Sequence, residues 1–259
     1  MKLINLCKTA VIISGIFISQ IATAGTTIFM AGDSTMAIKD PKDYPETGWG
    51  VPFATFFADD VKVVNLAKNG RSTRTFKTEG LWQQIESQAK TGDWVFIQFG
   101  HNDESEKKHD RYTTPEQYKS NLTEMIRQSQ ARGATPILLS SVTRRNFDDN
   151  GNIKKTHPYY PLVLEVAEAT GVTFIDMDAI TRDYFSAMGD SLSKLRFMHI
   201  QPDLHPNYPN GVSDNTHFNE LGAREVAQLV LTELKKRQHP LTKQLRSVDP
   251  KHLKLRYKP

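Results

Sequence analysis

Five apolar runs bounded by glycine or polar turn residues recur along the chain, at residues 27–31, 61–66, 94–99, 136–140 and 172–176. The runs around Phe96 and Leu138 are almost continuously hydrophobic rather than alternating. That pattern belongs to strands covered on both faces, as in a parallel sheet between helix layers. Helical spacing of apolar residues fills the intervals, over 49–58, 81–90, 115–132, 159–170, 178–195 and 219–237. The third of these has clear ends: Thr114 as N-cap, Pro115 at the first position and Gly133 as the stop. Strand and helix alternate with no break in composition, which predicts one α/β domain over 25–238. The expected architecture is a three-layer α/β/α sandwich on a five-stranded parallel sheet, with flavodoxin-like strand order.

Composition changes the picture at the two ends. Lys2 and Lys8 precede an apolar run from Val11 to Ile21, followed by Ala22-Thr23-Ala24. This reads as a secretory signal peptide over 1–24, the run being shorter than the about 20 residues a membrane span needs. Export to the periplasm or beyond is therefore expected, with no stable membrane span after cleavage. The single Cys7 lies in the removed segment and before the apolar run. Thiol catalysis, disulfides and Cys-based zinc sites are thereby excluded for the exported chain. From Lys235 onward nine Lys/Arg face one Asp, whereas residues 25–234 hold 22 basic and 28 acidic residues. A mildly acidic body thus carries a basic tail over 239–259, suited to an anionic polysaccharide or lipid head group or simply solvated. The tail lacks Phe and Trp, so nucleic acid is not an expected partner; a monomer is.

Ligands of a parallel sheet bind at the carboxyl ends of its strands, so chemistry is sought in the residues just after each run. After the first comes Gly32-Asp33-Ser34, where a hydroxyl meets free backbone N–H groups; a helix cap is the plainer use of such a serine. After the second comes Gly70, able to offer an unobstructed N–H or simply to make a turn. After the third comes Gly100-His101-Asn102-Asp103, with an amide that can donate to an oxyanion or shape a turn. Near the end, Asp214 and His217 stand three residues apart on an expected loop ahead of a helix capped by Asn219. In that spacing the carboxylate can fold back and fix the imidazole tautomer. Together the four segments supply nucleophile, base, orienter and oxyanion donors, the parts of a serine-type acyl hydrolase.

These blocks resemble, in order, those of the SGNH (GDSL-type) hydrolase superfamily. The wider matches at Gly32 to Met36, Gly48-Trp49-Gly50, Asn69 to Arg74, Gln98 to Asp103 and Thr216 to Ala223 are similar to the rhamnogalacturonan acetylesterase family. The resemblance implies metal-free, cofactor-free removal of acetyl from pectic polysaccharide. It also implies Ser34, Asp214 and His217 as the triad and Ser34, Gly70 and Asn102 as the oxyanion hole.

A galacturonate-containing substrate is anionic, so cations near the site are expected to hold its carboxylates. Arg71, Arg74, Arg144 and Arg145 are the candidates, with Trp49, Tyr159 and Tyr160 offering faces to sugar rings. Acetylesterases of other plant polysaccharides, a sugar O-acetyltransferase and a non-catalytic binding protein remain alternatives. A metal-dependent phosphoesterase is a further one, since Asp33, His101, Asp103 and His217 can all ligate metal. However, no Asp-x-His comes after the first run, and the order Gly-His-Asn-Asp differs from the pattern such enzymes show.

Overall fold

Side-chain alternation along each buried strand separates two cores. In the computed structural model, which describes residues 25–246, the strands are β1 (Thr27–Gly32), β2 (Lys62–Asn65), β3 (Trp94–Gln98), β4 (Thr135–Leu139) and β5 (Thr173–Ile175). They form one sheet in the order β2-β1-β3-β4-β5, every pairing parallel. Because successive side chains point to opposite faces, Ile28, Met30, Phe96, Ile137 and Leu139 enter one apolar cluster. Phe29, Ala31, Val95, Ile97 and Leu138 enter the other. Each of these side chains larger than alanine, once buried, contributes about 1.5–3 kcal/mol.

The first cluster is closed by α1 (Gly50–Ala54), α6 (Met177–Lys194) and α7 (Glu220–Lys236), through Phe53, Phe185, Val226 and Val230. The second is closed by α3 (Leu81–Gln88), α4 (Pro115–Ala131) and α5 (Tyr160–Thr170), through Ile85, Leu122, Met125 and Val163. The result is the expected three-layer α/β/α sandwich. The chain leaves β1 toward one face and β3 toward the other. Between these adjacent strands the order reverses, which opens the crevice where doubly wound sheets bind ligands.

Three elements differ from the sequence expectation. The helix expected over 49–58 stops at Ala54, where Thr55 turns its Oγ1 onto the Pro52 carbonyl and the Phe56 N–H tightens onto Phe53. A short helix, α2 (Thr73–Thr78), comes after Gly70; its capping box of Ser72 and Thr75 stands in for an apolar stripe. Asp214 and His217 lie not on a loop but on β7 (Val212–Phe218), paired antiparallel with β6 (Phe197–Ile200).

The domain boundary also moves. Leu241 is fully buried, Leu245 bridges Phe57, and the Arg246 Nε donates to the Phe57 carbonyl at 2.7 Å. The start of the expected tail is therefore part of the body. Residues 247–259 and the expected signal peptide lie outside the described residues. Among the described residues, no helix is long and apolar enough to cross a membrane.

Candidate active site

β1 ends against β3 so closely that a Cβ on Gly32 would sit 3.0 Å from the Gln98 carbonyl oxygen. The chain then turns sharply. Asp33, fully buried, accepts from the Thr35 N–H at 2.9 Å and the Thr35 Oγ1 at 2.8 Å. It also meets the His101 Nδ1 at 3.1 Å. Burial raises the Asp33 pKa, but His101 and Thr35 outweigh it and hold the group well below the usual carboxylate range. His101 is therefore read as donating from Nδ1. Burial, the largest influence, favours its neutral form. Gln98 donates to the Thr35 Oγ1 at 2.8 Å, and Trp49 Nε1 donates to the Gln98 Oε1 at 2.9 Å. A buried relay thus fixes the turn that presents Ser34.

The Ser34 Oγ lies 2.9 Å from His217 Nε2, and His217 Nδ1 lies 2.7 Å from Asp214 Oδ2. The other Asp214 oxygen accepts from the N–H groups of Thr216 at 2.6 Å and His217 at 3.1 Å. Partial burial pushes Asp214 up, yet these bonds and the imidazole bring its pKa down to about 2. An ionised Asp214 makes Nδ1 the donor, so Nε2 is left to accept the Ser34 hydroxyl proton.

Ser34, Gly70, Asn102 and His217 line one cavity of about 390 Å³. Gly70 is the third residue of a turn closed by the Arg71 N–H on the Lys68 carbonyl, and its φ of 77° suits glycine there. Among the described residues, neither the Ser34 nor the Gly70 N–H donates to any group. The Asn102 amide gives one hydrogen to the Arg71 carbonyl at 3.0 Å and keeps a second. Beneath them, burial pushes Asp103 up to about 7, although Thr73 donates to it at 2.9 and 2.6 Å. Among the described residues, no group of three or more His, Cys, Asp or Glu is arranged to hold a metal ion.

The expected substrate contacts need correction. Trp49 is fully buried and committed to Gln98, so no sugar can reach its ring. Arg145 is buried between Ser193, Asn215 and Asp190. Arg74 donates to the carbonyls of His109, Asp110 and Tyr112 and so shapes the loop after β3. Arg71 turns to Glu79 at 2.9 Å, in a depression beside the cavity rather than in it. Tyr159 donates to the Thr113 carbonyl and Tyr160 to Asp176. Of the four arginines, only Arg144 lines the cavity, its Nη1 donating to the Thr216 Oγ1 at 2.6 Å.

Sequence reasoning missed Lys108 and Arg111, which line the same cavity, and Glu46 with its partner Lys39. The cations at 107, 108 and 111 come after the third strand on the ligand-binding edge, and that placement was the available signal.

Residues 30–224 match the GDSL-like Lipase/Acylhydrolase family. Rhamnogalacturonan acetylesterase RhgT of Bacillus subtilis strain 168 is 41% identical over 225 residues, covering 86% of this chain and 96% of that protein. Probable rhamnogalacturonan acetylesterase YesY of the same organism is 33% identical, covering 84% and 96%. Among solved structures, protein YxiM from Bacillus subtilis superposes with a TM-score of 0.73 at 28% identity, covering 83% of this chain and 58% of its own.

Proposed function

The chain belongs to the GDSL-like lipase/acylhydrolase family and is a carboxylic ester hydrolase, and from that premise we propose that it removes O-acetyl groups from a pectic polysaccharide through an acyl-enzyme formed on Ser34. The observation that carries the reading is the unbroken line from Ser34 Oγ through His217 to Asp214, opening into one cavity with unoccupied N–H donors.

In this reading His217 Nε2 takes the hydroxyl proton as Ser34 Oγ attacks the acetyl carbonyl. The carbonyl oxygen becomes an oxyanion held by the N–H groups of Ser34 and Gly70 and by the Asn102 amide. Collapse breaks the bond to the sugar oxygen, which leaves with the proton from His217. Water, deprotonated by the same imidazole, then attacks the acetyl-serine and releases acetate. Asp214 stays ionised and stabilises the imidazolium formed in each step.

Two facts support a pectic substrate. The relatives at 41% and 33% identity carry the name rhamnogalacturonan acetylesterase, the second as a probable one. The cavity is also rimmed by Lys108, Arg111 and Arg144, while its one carboxylate, Glu46, is paired with Lys39 at 2.7 Å. A net cationic rim suits the carboxylates of galacturonate. The same reading has the chain exported after loss of residues 1–24.

Acetate release from a panel of acetylated rhamnogalacturonan, homogalacturonan and xylan tests the proposal, with Ser34→Ala as the blank. Release is expected to be highest from the first. Faster release from xylan would move the substrate class, and release that survives Ser34→Ala would remove the mechanism.

A further inference from the structure

We propose that Lys39 is a positioning residue for ester hydrolysis, pinning the nucleophile turn to the oxyanion turn and so setting the spacing of their N–H donors. The inference rests on the proposed esterase function and names a part of it that the sequence motifs do not assign.

The Lys39 side chain is 5% exposed, and its ammonium has three hydrogens to place. It meets three acceptors: the Ser34 carbonyl at 2.6 Å, the Asn69 Oδ1 at 2.8 Å and the Glu46 Oε1 at 2.7 Å. Saturated in this way, it has nothing left to offer a substrate. Its burial is tolerated because one of the three acceptors is a carboxylate and the other two complete its shell.

Two acceptors belong to catalytic turns, and the third lies in a segment held against the strand that carries His217. The first is the main chain of Ser34 itself, so the contact limits how that residue rotates about its backbone. The second is the residue before Gly70, inside the turn whose free N–H would hold the oxyanion. The third lies in the segment that bridges Asn219, and there the Thr47 N–H donates to the Phe218 carbonyl at 2.9 Å, one residue beyond His217. The Lys68 N–H already ties its loop to Gly32 at 3.1 Å. That bond fixes where the loop starts, and the Lys39 contact fixes how the turn at Asn69 is tilted. A donor hole works only while its N–H groups stay within hydrogen-bond distance of one point.

The test uses Lys39→Met, Lys39→Arg and the double variant Lys39→Met/Glu46→Gln, assayed on a neutral aryl acetate. Sites are counted by stoichiometric labelling with a fluorophosphonate, so that kcat is expressed per competent Ser34. Lys39→Met and the double variant are each expected to lose about 10- to 100-fold in kcat, somewhat less than loss of a whole oxyanion donor. KM for the neutral ester should change by less than about threefold, the signature of an interaction felt in the transition state. Lys39→Arg keeps the charge but not the single-point geometry, so its kcat should also fall.

Wild-type kcat per labelled site, with only melting temperature or the labelled fraction reduced, would make Lys39 a stabilising residue and overturn the proposal. Full recovery in the double variant would trace the loss to an unpaired Glu46 and overturn it equally. Wild-type kcat in Lys39→Arg, should the methionine variants fail to fold, would do the same. Ester turnover that survives Ser34→Ala in a chain with Lys39 intact would instead remove the functional reading, and the role of Lys39 with it.

Discussion

Asp214 keeps its charge for local reasons: two backbone N–H groups and one imidazole bond outweigh its partial burial. With a pKa of about 2, it stays a carboxylate throughout the range in which an imidazole titrates. The carboxylate that orients His217 should therefore be lost only as the pH falls toward 2. Asp214→Asn keeps the shape but no longer dictates the tautomer, and its kcat is expected to fall by about 10⁴-fold. Steady-state assays of that variant beside wild type at neutral pH check the expected loss, and a loss below tenfold would contradict it. At this scale the sequence was most legible where chemistry is written in short spacings, as with Asp214 and His217 or Gly32 to Ser34. It was least legible for the arginines. Whether Arg71 faces a sugar or Glu79, and whether Arg145 faces solvent or Asp190, depends on partners that only the fold brings near.

Elements formed along their apolar patterns wherever burial decides. β3 and β4 form where nearly continuous apolar runs predicted them, because both faces of those strands are covered. α2 and the β6/β7 pair escaped notice, since polar caps and cross-strand pairing rather than periodicity hold them. Trp49 shows how an element can mislead. Its aromatic ring suggested a face for a sugar, yet it is the first link of the relay through Gln98 and Thr35 to Asp33. Trp49→Phe keeps an apolar ring and strands the buried Gln98 Oε1, which should destabilise the fold by about 1–3 kcal/mol. Urea denaturation reads that loss. A variant with unchanged stability but weakened polymer binding would return Trp49 to the substrate.

The whole molecule turns distant segments into one device, because every strand of the sheet delivers its next loop to the same edge. Ser34 leaves β1 at that edge and the separate β6/β7 pair carries His217 to it, so the two, 183 residues apart in sequence, meet at 2.9 Å. Charge is distributed at this scale too. The body over 25–234 is acidic overall, yet Lys108, Arg111 and Arg144 surround the cavity mouth. Neutralising Lys108 and Arg111 together as glutamines should raise KM for acetylated pectic polymer several-fold, about 10-fold at low salt, and spare a neutral aryl acetate. Added salt should erode the wild-type advantage in the same direction. Equal effects on both substrates, measured side by side, would remove these cations from substrate recognition. The claim beneath all of this is that Ser34 is the nucleophile of the device the fold assembles. Fluorophosphonate labelling with peptide mapping tests it most directly. The expected result is one adduct per chain, on Ser34, with activity lost in step with labelling; full labelling of Ser34 with activity intact would contradict it.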